Sequence, residues 1–330
     1  WLTPGPYVGR FERALAERFG AKHAIVCANG TAALHLSALA LQWQPGDVVI
    51  VPAITFVASA NCAMYVGAEP YFVDVDPGTL VIDPDEVERA VRLLRAAGRR
   101  VRAVVGVDLA GHPADWVALR ALADRYELQL VDDACHAMGA TYANGVRVGD
   151  CTHYDLATLS FHPVKHITTG EGGAILTNDD RLAERAMLLR SHGIRNQEAQ
   201  IPAWEGPWHL EMTDLGYNYR LNDLQCALGL SQLRKLDDFV AKRREIAGWY
   251  DALLAGDRRF ARPALRPDVQ HAYHLYILRT AFGEGAAGRK AFYSRCLERG
   301  VRFQVHYRPV PLNAFYRDRV SPGTLERLPN

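Results

Sequence analysis

Lys165 is the residue whose surroundings most plainly call for chemistry. It closes the run Ser160-Phe161-His162-Pro163-Val164-Lys165, and Thr168-Thr169-Gly170-Glu171-Gly172-Gly173 follows. A lysine set between an apolar strand and a glycine-rich turn has no helix face to decorate. Desolvation there lowers its proton affinity, and an unprotonated amine forms an imine with a carbonyl carbon. Ser160 offers a hydroxyl to an anion held beside that lysine. His162 and His166 stand at i, i+4, a spacing that suits metal ligands on a helix. Pro163 and the nearby glycines argue against a helix, so no metal is expected here.

Two earlier stretches complement the lysine. Asn29-Gly30-Thr31-Ala32-Ala33 follows a strand and opens a helix. Free N–H groups with a hydroxyl beside them favour a phosphate, although the same residues also read as an ordinary helix cap. No G-x-G-x-x-G is present, which argues against a dinucleotide site. Leu130-Val131-Asp132-Asp133-Ala134-Cys135-His136 ends a second strand in two acids. Such a pair serves as a cap or surface feature, or as the carboxylate that keeps a pyridine nitrogen protonated and makes the ring an electron sink. His136 either stacks on such a ring or is a hydrogen-bonded structural histidine. Phosphate cradle, ring-nitrogen carboxylate and imine-forming lysine occur in the chain order that a pyridoxal-phosphate site on a parallel sheet requires.

The elements that must position these residues alternate between strand and helix. Phe11, Leu15 and Phe19 mark a helix stopped by Gly20. Strands are expected at Ala24–Cys27, Val48–Val51, Tyr71–Val75, Val101–Val107 and Leu128–Val131, with a further run at His153–Leu159. Helices over Gly30–Leu41, Ala58–Val66, Pro84–Ala97 and Ala114–Tyr126 lie between them. This predicts an α/β fold, a mostly parallel sheet with helices on both faces, whose ligands bind beyond the carboxyl ends of the strands. The residues there are Asn29-Gly30-Thr31, Asp74, Asp108, Asp132-Asp133 and Ser160.

After Gly193 a polar, aromatic loop with Trp204 and Trp208 leads to Leu215-Gly216-Tyr217-Asn218-Tyr219-Arg220. Helices over Asp223–Lys235 and Asp237–Leu254 follow. Strands near Tyr273–Arg279 and Phe303–His306, around a helix near Gly288–Arg299, suggest a small α+β domain. We therefore expect a large domain over 1–235 and a smaller, truncated C-terminal one over 236–330.

Composition sets the remaining bounds. The 330 residues carry a formal net charge of +1, with 49% hydrophobic and 23% charged residues. With no block of like charge, bulk electrostatics recruits neither nucleic acid nor a membrane surface. No run of about 18 apolar residues is long enough to span a bilayer. The six cysteines are scattered without a C-x-x-C pair, so neither zinc nor a disulfide framework is signalled, and a reducing cytoplasm is the natural setting. The opening Trp1-Leu2-Thr3 is no signal peptide and reads as the interior of a longer chain.

The chain resembles the DegT/StrS family of nucleotide-sugar aminotransferases, of the fold type I pyridoxal-phosphate enzymes. The likeness runs from Leu2-Thr3-Pro4-Gly5-Pro6 through Asn29-Gly30-Thr31-Ala32-Ala33-Leu34 and Asp133-Ala134-Cys135-His136-Ala137-Met138-Gly139-Ala140 to Ser160–Gly173. It implies that Lys165 is the Schiff-base lysine and that Asp133 is the partner of the pyridine nitrogen. His136 would lie against the ring, while Gly30, Thr31, Ala32 and Ser160 would hold the phosphate. The cofactor would be pyridoxal 5'-phosphate, alternating with pyridoxamine 5'-phosphate. It also implies a homodimer with shared sites, Asn218 or Arg220 acting in trans.

Further stretches, Gly206-Pro207-Trp208, Ala227-Leu228-Gly229-Leu230-Ser231-Gln232-Leu233 and Gln304-Val305-His306-Tyr307, resemble the branch serving pseudaminic acid biosynthesis. That branch moves an amino group from L-glutamate, leaving 2-oxoglutarate, to C4 of a UDP-linked 2-acetamido-2,6-dideoxy-4-keto hexose. Trp1, Leu2, Thr3, Gln304, Val305, His306 and Tyr307 would line the sugar-nucleotide pocket, and Arg220 would grip the glutamate carboxylate. Three alternatives stand beside this reading: a different nucleotide-linked keto sugar, a dehydratase, and a non-catalytic binder. Dehydratase relatives carry His in place of the lysine, which Lys165 argues against.

Overall fold

The computed structural model describes residues 5–195, 206, 208–280, 285–320 and 328. Trp1, Leu2 and Thr3 lie outside the described residues, as does Trp204.

A seven-stranded sheet forms the centre. Its strands are β1 (His23–Cys27), β2 (Asp47–Pro52), β3 (Glu69–Val73), β4 (Arg100–Val107), β5 (Gln129–Asp133), β6 (Leu156–Ser160) and β7 (Gly173–Thr177). They lie in the order β1-β7-β6-β5-β4-β2-β3. The pairings of β2 with β3 and β4, of β4 with β5, and of β5 with β6 are parallel. Strand β7 runs antiparallel between β6 and β1.

Both faces are covered by helices, as buried apolar strands require. Helices α1 (Pro6–Phe19), α4 (Pro84–Ala96) and α5 (Trp116–Tyr126) bury Phe11, Leu15, Val87 and Trp116 in one core. Helices α2 (Gly30–Ala40), α3 (Ala58–Tyr65) and α6 (Asp180–Arg190) bury Leu34, Ala60 and Ala186 in the other. The stops are local. Pro6 opens α1 and Gly20 ends it in the left-handed region, while Asp83, Asp115 and Asp179 cap α4, α5 and α6. Helices α7 (Asp223–Leu233) and α8 (Leu236–Leu253) follow, and α9 spans Gly285–Glu298.

The α/β layers and most element positions match the sequence-based expectation. Strand β7 and helix α6 were not anticipated. Ala174-Ile175-Leu176 is a short apolar run behind the glycines, and nothing local distinguishes it from a turn exit. The two strands expected near Tyr273–Arg279 and Phe303–His306 do not form. Among the described residues only Arg279–Thr280 pairs there, with Phe260–Ala261. Backbone groups of 272–275 instead bond to the turn at 110–111 and to Arg243, so they have no strand partner to seek. Residues 301–309 are irregular, with Arg302, Gln304 and Val305 exposed.

Candidate active site

The site lies beyond the carboxyl ends of β5 and β6. Asn29 caps α2 by accepting from the Ala32 N–H at 2.8 Å, and its carbonyl accepts from Ala33 N–H at 3.0 Å. The N–H groups of Gly30 and Thr31 have no hydrogen-bond partner among the described residues, nor has the Thr31 hydroxyl. Both readings of this motif therefore apply at once: Asn29 is a true cap, and the two preceding N–H groups stay open to an anion. The Ala32 N–H, expected to join them, is engaged by the cap. A Cβ on Gly30 would stand 3.0 Å from Ser160 Cβ and 3.2 Å from Cys135 Sγ. Glycine thus lets the start of α2 descend onto the ends of β5 and β6. Ser160 is buried, and its hydroxyl oxygen accepts only a long contact, 3.5 Å, from the His162 N–H.

The two acids of β5 point to opposite faces, as the strand period of two dictates. Asp133 shares the α2/α3 face with Val131. One of its oxygens accepts from Ser59 Oγ at 2.6 Å and the other from the Cys135 N–H at 3.3 Å. Ser59 is backed by Thr55, hydroxyl to hydroxyl at 2.9 Å. Asp132 points to the α5 face, fully buried, and burial followed by the charges of Asp108 and Asp133 raises its pKa well above the usual range. Burial also pushes the Cys135 thiol far up, with Asp133 adding to it, so Cys135 remains a neutral thiol.

His136 is buried beside these groups. Its Nδ1 accepts from the Ala110 N–H at 3.3 Å, which puts the proton of the neutral ring on Nε2. The ring stays neutral because burial holds its pKa well below 6.5, with nearby Lys165 and His274 lowering it further. The His274 ring centroid is 4.4 Å away and that of Tyr307 is 6.4 Å away. Tyr307 is pushed up to about 12 by burial, then by Asp133 and Cys135.

Lys165 sits on a loop closed by bonds from Phe161 N to Gly172 O at 2.7 Å and from Thr169 N to Phe161 O at 3.0 Å. Phe161, fully buried against Phe11, anchors the loop to the core. Burial lowers the Lys165 pKa, opposed by Cys135 and Asp133. Its amine has no hydrogen-bond or ionic partner among the described residues. His162 and His166 are no metal pair: His162 is exposed, His166 is buried against Ala272 O, and no metal-binding cluster occurs among the described residues.

This arrangement fits pyridoxal phosphate. Open N–H groups and hydroxyls suit an anionic end, a fixed carboxylate suits a basic ring nitrogen, and an unpaired amine suits a carbonyl carbon. Thr55, Ser59 and His274 escaped the reading from sequence. The first two follow the carboxyl end of β2, and that position is the signal that finds them.

The structure gathers Gly30, Thr31, Asp133, His136, Ser160, Lys165, His306 and Tyr307 around one region. Burial and Lys165 both lower the His306 pKa, opposed by the Gln304 backbone, which places His306 near the amine. Gln304 and Val305 are exposed. Asn218 and Arg220 bond to each other at 3.2 Å, and Tyr219 O accepts from the Ala28 N–H, so this segment runs beside α2. Among the described residues, no hydrogen bond or ion pair joins Asn218 or Arg220 to Lys165, Asp133 or His136.

Comparison with known proteins gives a consistent result. The DegT/DnrJ/EryC1/StrS aminotransferase family matches residues 1–330. The UDP-4-amino-4,6-dideoxy-N-acetyl-beta-L-altrosamine transaminase of Campylobacter jejuni is 38% identical, covering 100% of this chain and 83% of that one. The structure of DesV from S. venezuelae superposes with a TM-score of 0.87 at 34% identity, covering 99% of this chain and 82% of that one. Helicobacter pylori PseC, described as an aminotransferase of pseudoaminic acid biosynthesis, gives 0.86 at 32% identity, covering 97% and 82%.

Proposed function

This chain belongs to the DegT/DnrJ/EryC1/StrS aminotransferase family, and from that premise we propose which amino group it moves, and to what. It is a pyridoxal-phosphate-dependent sugar aminotransferase. Its reaction is amino transfer from L-glutamate to C4 of a UDP-linked 2-acetamido-2,6-dideoxy-4-keto hexose, yielding UDP-4-amino-4,6-dideoxy-N-acetyl-β-L-altrosamine. One observation carries the choice of sugar, the likeness over all 330 residues to the Campylobacter transaminase of that name.

When bound, pyridoxal phosphate supplies an electrophilic carbonyl carbon and an electron-withdrawing ring. The open N–H groups of Gly30 and Thr31, with the hydroxyls of Thr31 and Ser160, would hold its phosphate. Asp133, braced by Ser59 and Cys135, would pair with the ring nitrogen and hold a proton there. His136, neutral, would lie against the ring. Lys165 is the catalytic residue: its amine, which burial makes easier to deprotonate, takes the proton from the carbon bearing the departing amino group and returns one to the sugar C4. Acid–base work of this kind contributes about 10²–10⁴-fold.

His306, within electrostatic reach of Lys165, and Tyr307, within that of Asp133, border the sugar, with Gln304 and Val305 beside them. Asn218 and Arg220 serve the site of a second copy, Arg220 holding the glutamate carboxylate. Two features support the dimer: the exposure of Asn218, to which the half-buried Arg220 donates, and the exposed Leu210, Met212, Leu215, Leu224 and Leu228 that flank them.

The test is a product assay. Purified enzyme receives L-glutamate and a panel of nucleotide-linked keto sugars, and products are weighed by mass spectrometry. Amination of another sugar, with the UDP-linked 4-keto hexose untouched, would overturn the proposed substrate. Absence of 2-oxoglutarate with every sugar would sink the transfer itself.

A further inference from the structure

We propose that His274, seated by a strap that His166 tethers, is a positioning residue that orients His136. The inference rests on the reading that His136 lies against the cofactor.

The strap is residues 271–275, and it is held on three sides. Towards the large sheet, Ala272 N–H donates to Gly111 O at 2.9 Å and Leu275 N–H to Ala110 O at 3.2 Å. Gly111, at φ +100°, permits that approach, since a Cβ there would stand 2.8 Å from His136 O and 3.0 Å from Tyr273 N. From α8, Arg243 donates to the carbonyls of Tyr273 and His274 at 3.1 and 3.2 Å, and Arg244 to His271 O at 2.9 Å. From the lysine loop, His166 Nε2 bonds Ala272 O at 3.1 Å. His166 directly follows Lys165, so this last bond ties the strap to the loop that carries the amine.

So fixed, the strap meets His136 twice. The His274 ring lies 4.4 Å from the His136 ring, tilted 39°. Leu275 also steadies Ala110, whose N–H holds His136 Nδ1. A single bond to Nδ1 leaves an imidazole free to rock about that contact, and a neighbouring ring at van der Waals distance removes this freedom. Burial keeps His274 and His166 neutral, so neither repels Lys165.

A double-mutant cycle tests the relationship on the holoenzyme. His136→Ala, His274→Leu and the double variant are titrated with pyridoxal phosphate by visible absorbance, and single-turnover rates with glutamate are recorded. An aromatic pair of this kind predicts that His274→Leu weakens cofactor binding roughly 2- to 10-fold. The double variant should bind no worse than His136→Ala alone, and His274→Phe, which retains a ring, should recover most of the loss. Factors for the two substitutions that simply multiply would overturn the inference, as would wild-type affinity in His274→Leu. If His136→Ala itself leaves affinity and absorbance unchanged, the placement of His136 against the cofactor fails first, and the inference with it. Should His274→Leu not fold, His166→Phe, which releases the strap's tether, enters the same cycle with the same criteria.

Discussion

Ser59 Oγ stands 2.6 Å from Asp133 Oδ2, joining the first turn of α3 to the end of β5. Thr55 backs Ser59 at 2.9 Å, and the Cys135 N–H takes the other carboxylate oxygen. The carboxylate that we propose for the cofactor ring is thereby aimed by two elements distant in sequence. Removing the donor leaves a buried acceptor unpaired, so Ser59→Ala should cost about 1–3 kcal/mol of stability. Urea denaturation of the cofactor-free protein measures it, and an unchanged midpoint would deny the bond any weight.

Lys165→Ala should reduce the glutamate half-reaction by at least about 10²-fold and abolish the visible band of lysine-bound cofactor. Circular dichroism should remain that of the wild type. Retention of the band would assign the cofactor to another amine.

Gly30→Ala places a methyl group 3.0 Å from Ser160 Cβ, against buried neighbours. Overpacking of this kind costs about 1–3 kcal/mol, and here it also narrows the proposed phosphate cradle. Cofactor affinity should therefore drop further than thermal stability predicts. Equal affinity in variant and wild type would place the phosphate elsewhere.

Buried titratable groups set two opposing pH dependences. Burial holds His136 well below 6.5, His112 at about 4 and His166 at about 3. The unfolded chain takes up protons below about pH 6.5 that these rings refuse, so their contribution to stability is lost as pH falls. Burial also raises Asp108 to about 7 and Asp132 well above the usual carboxylate range. Above about pH 4 the unfolded carboxylates release protons that the folded ones keep, so this pair destabilises the fold as pH rises. Asp132→Asn removes one of that pair. Its advantage over the wild type should grow as pH rises above about 4, by about 1.4 kcal/mol for each pH unit over which the folded Asp132 keeps its proton. Urea titrations upward from about pH 4 decide it, and a pH-independent difference would mean that Asp132 ionises in the fold as it does in the unfolded chain.

Mixing two inactive variants tests the shared site. Lys165→Ala and Arg220→Ala chains, unfolded and refolded together, should recover about a quarter of wild-type activity in a two-fold symmetric dimer. Half of the dimers are then mixed, and each has one intact site. No recovery, with each variant alone inactive, would place Arg220 in its own chain's site.

Much of the fold was legible in the sequence because its signals are local. Alternation of apolar runs with helical periodicity marked six of the seven sheet strands, and Gly20 marked the end of α1. Strand β7 was hidden because its apolar core is short and its partners β1 and β6 are remote in sequence. The strap at 271–275 looked like a strand for the opposite reason: its residue types suit one, but its hydrogen bonds go to a turn and to arginine side chains.

By itself the sequence determined that Lys165 lies between an apolar strand and a glycine turn, and that acids, a helix start and a hydroxyl fall at strand ends. Those are properties of neighbours along the chain. Only the tertiary structure decided that Asp133, and not Asp132, turns toward α2 and α3, that Ser59 reaches it, and that His274 comes to rest on His136. Each of these depends on which face a strand presents once it is paired, or on two segments meeting across a long chain separation. Register and loop closure set such contacts, and neither leaves a mark on the residues between.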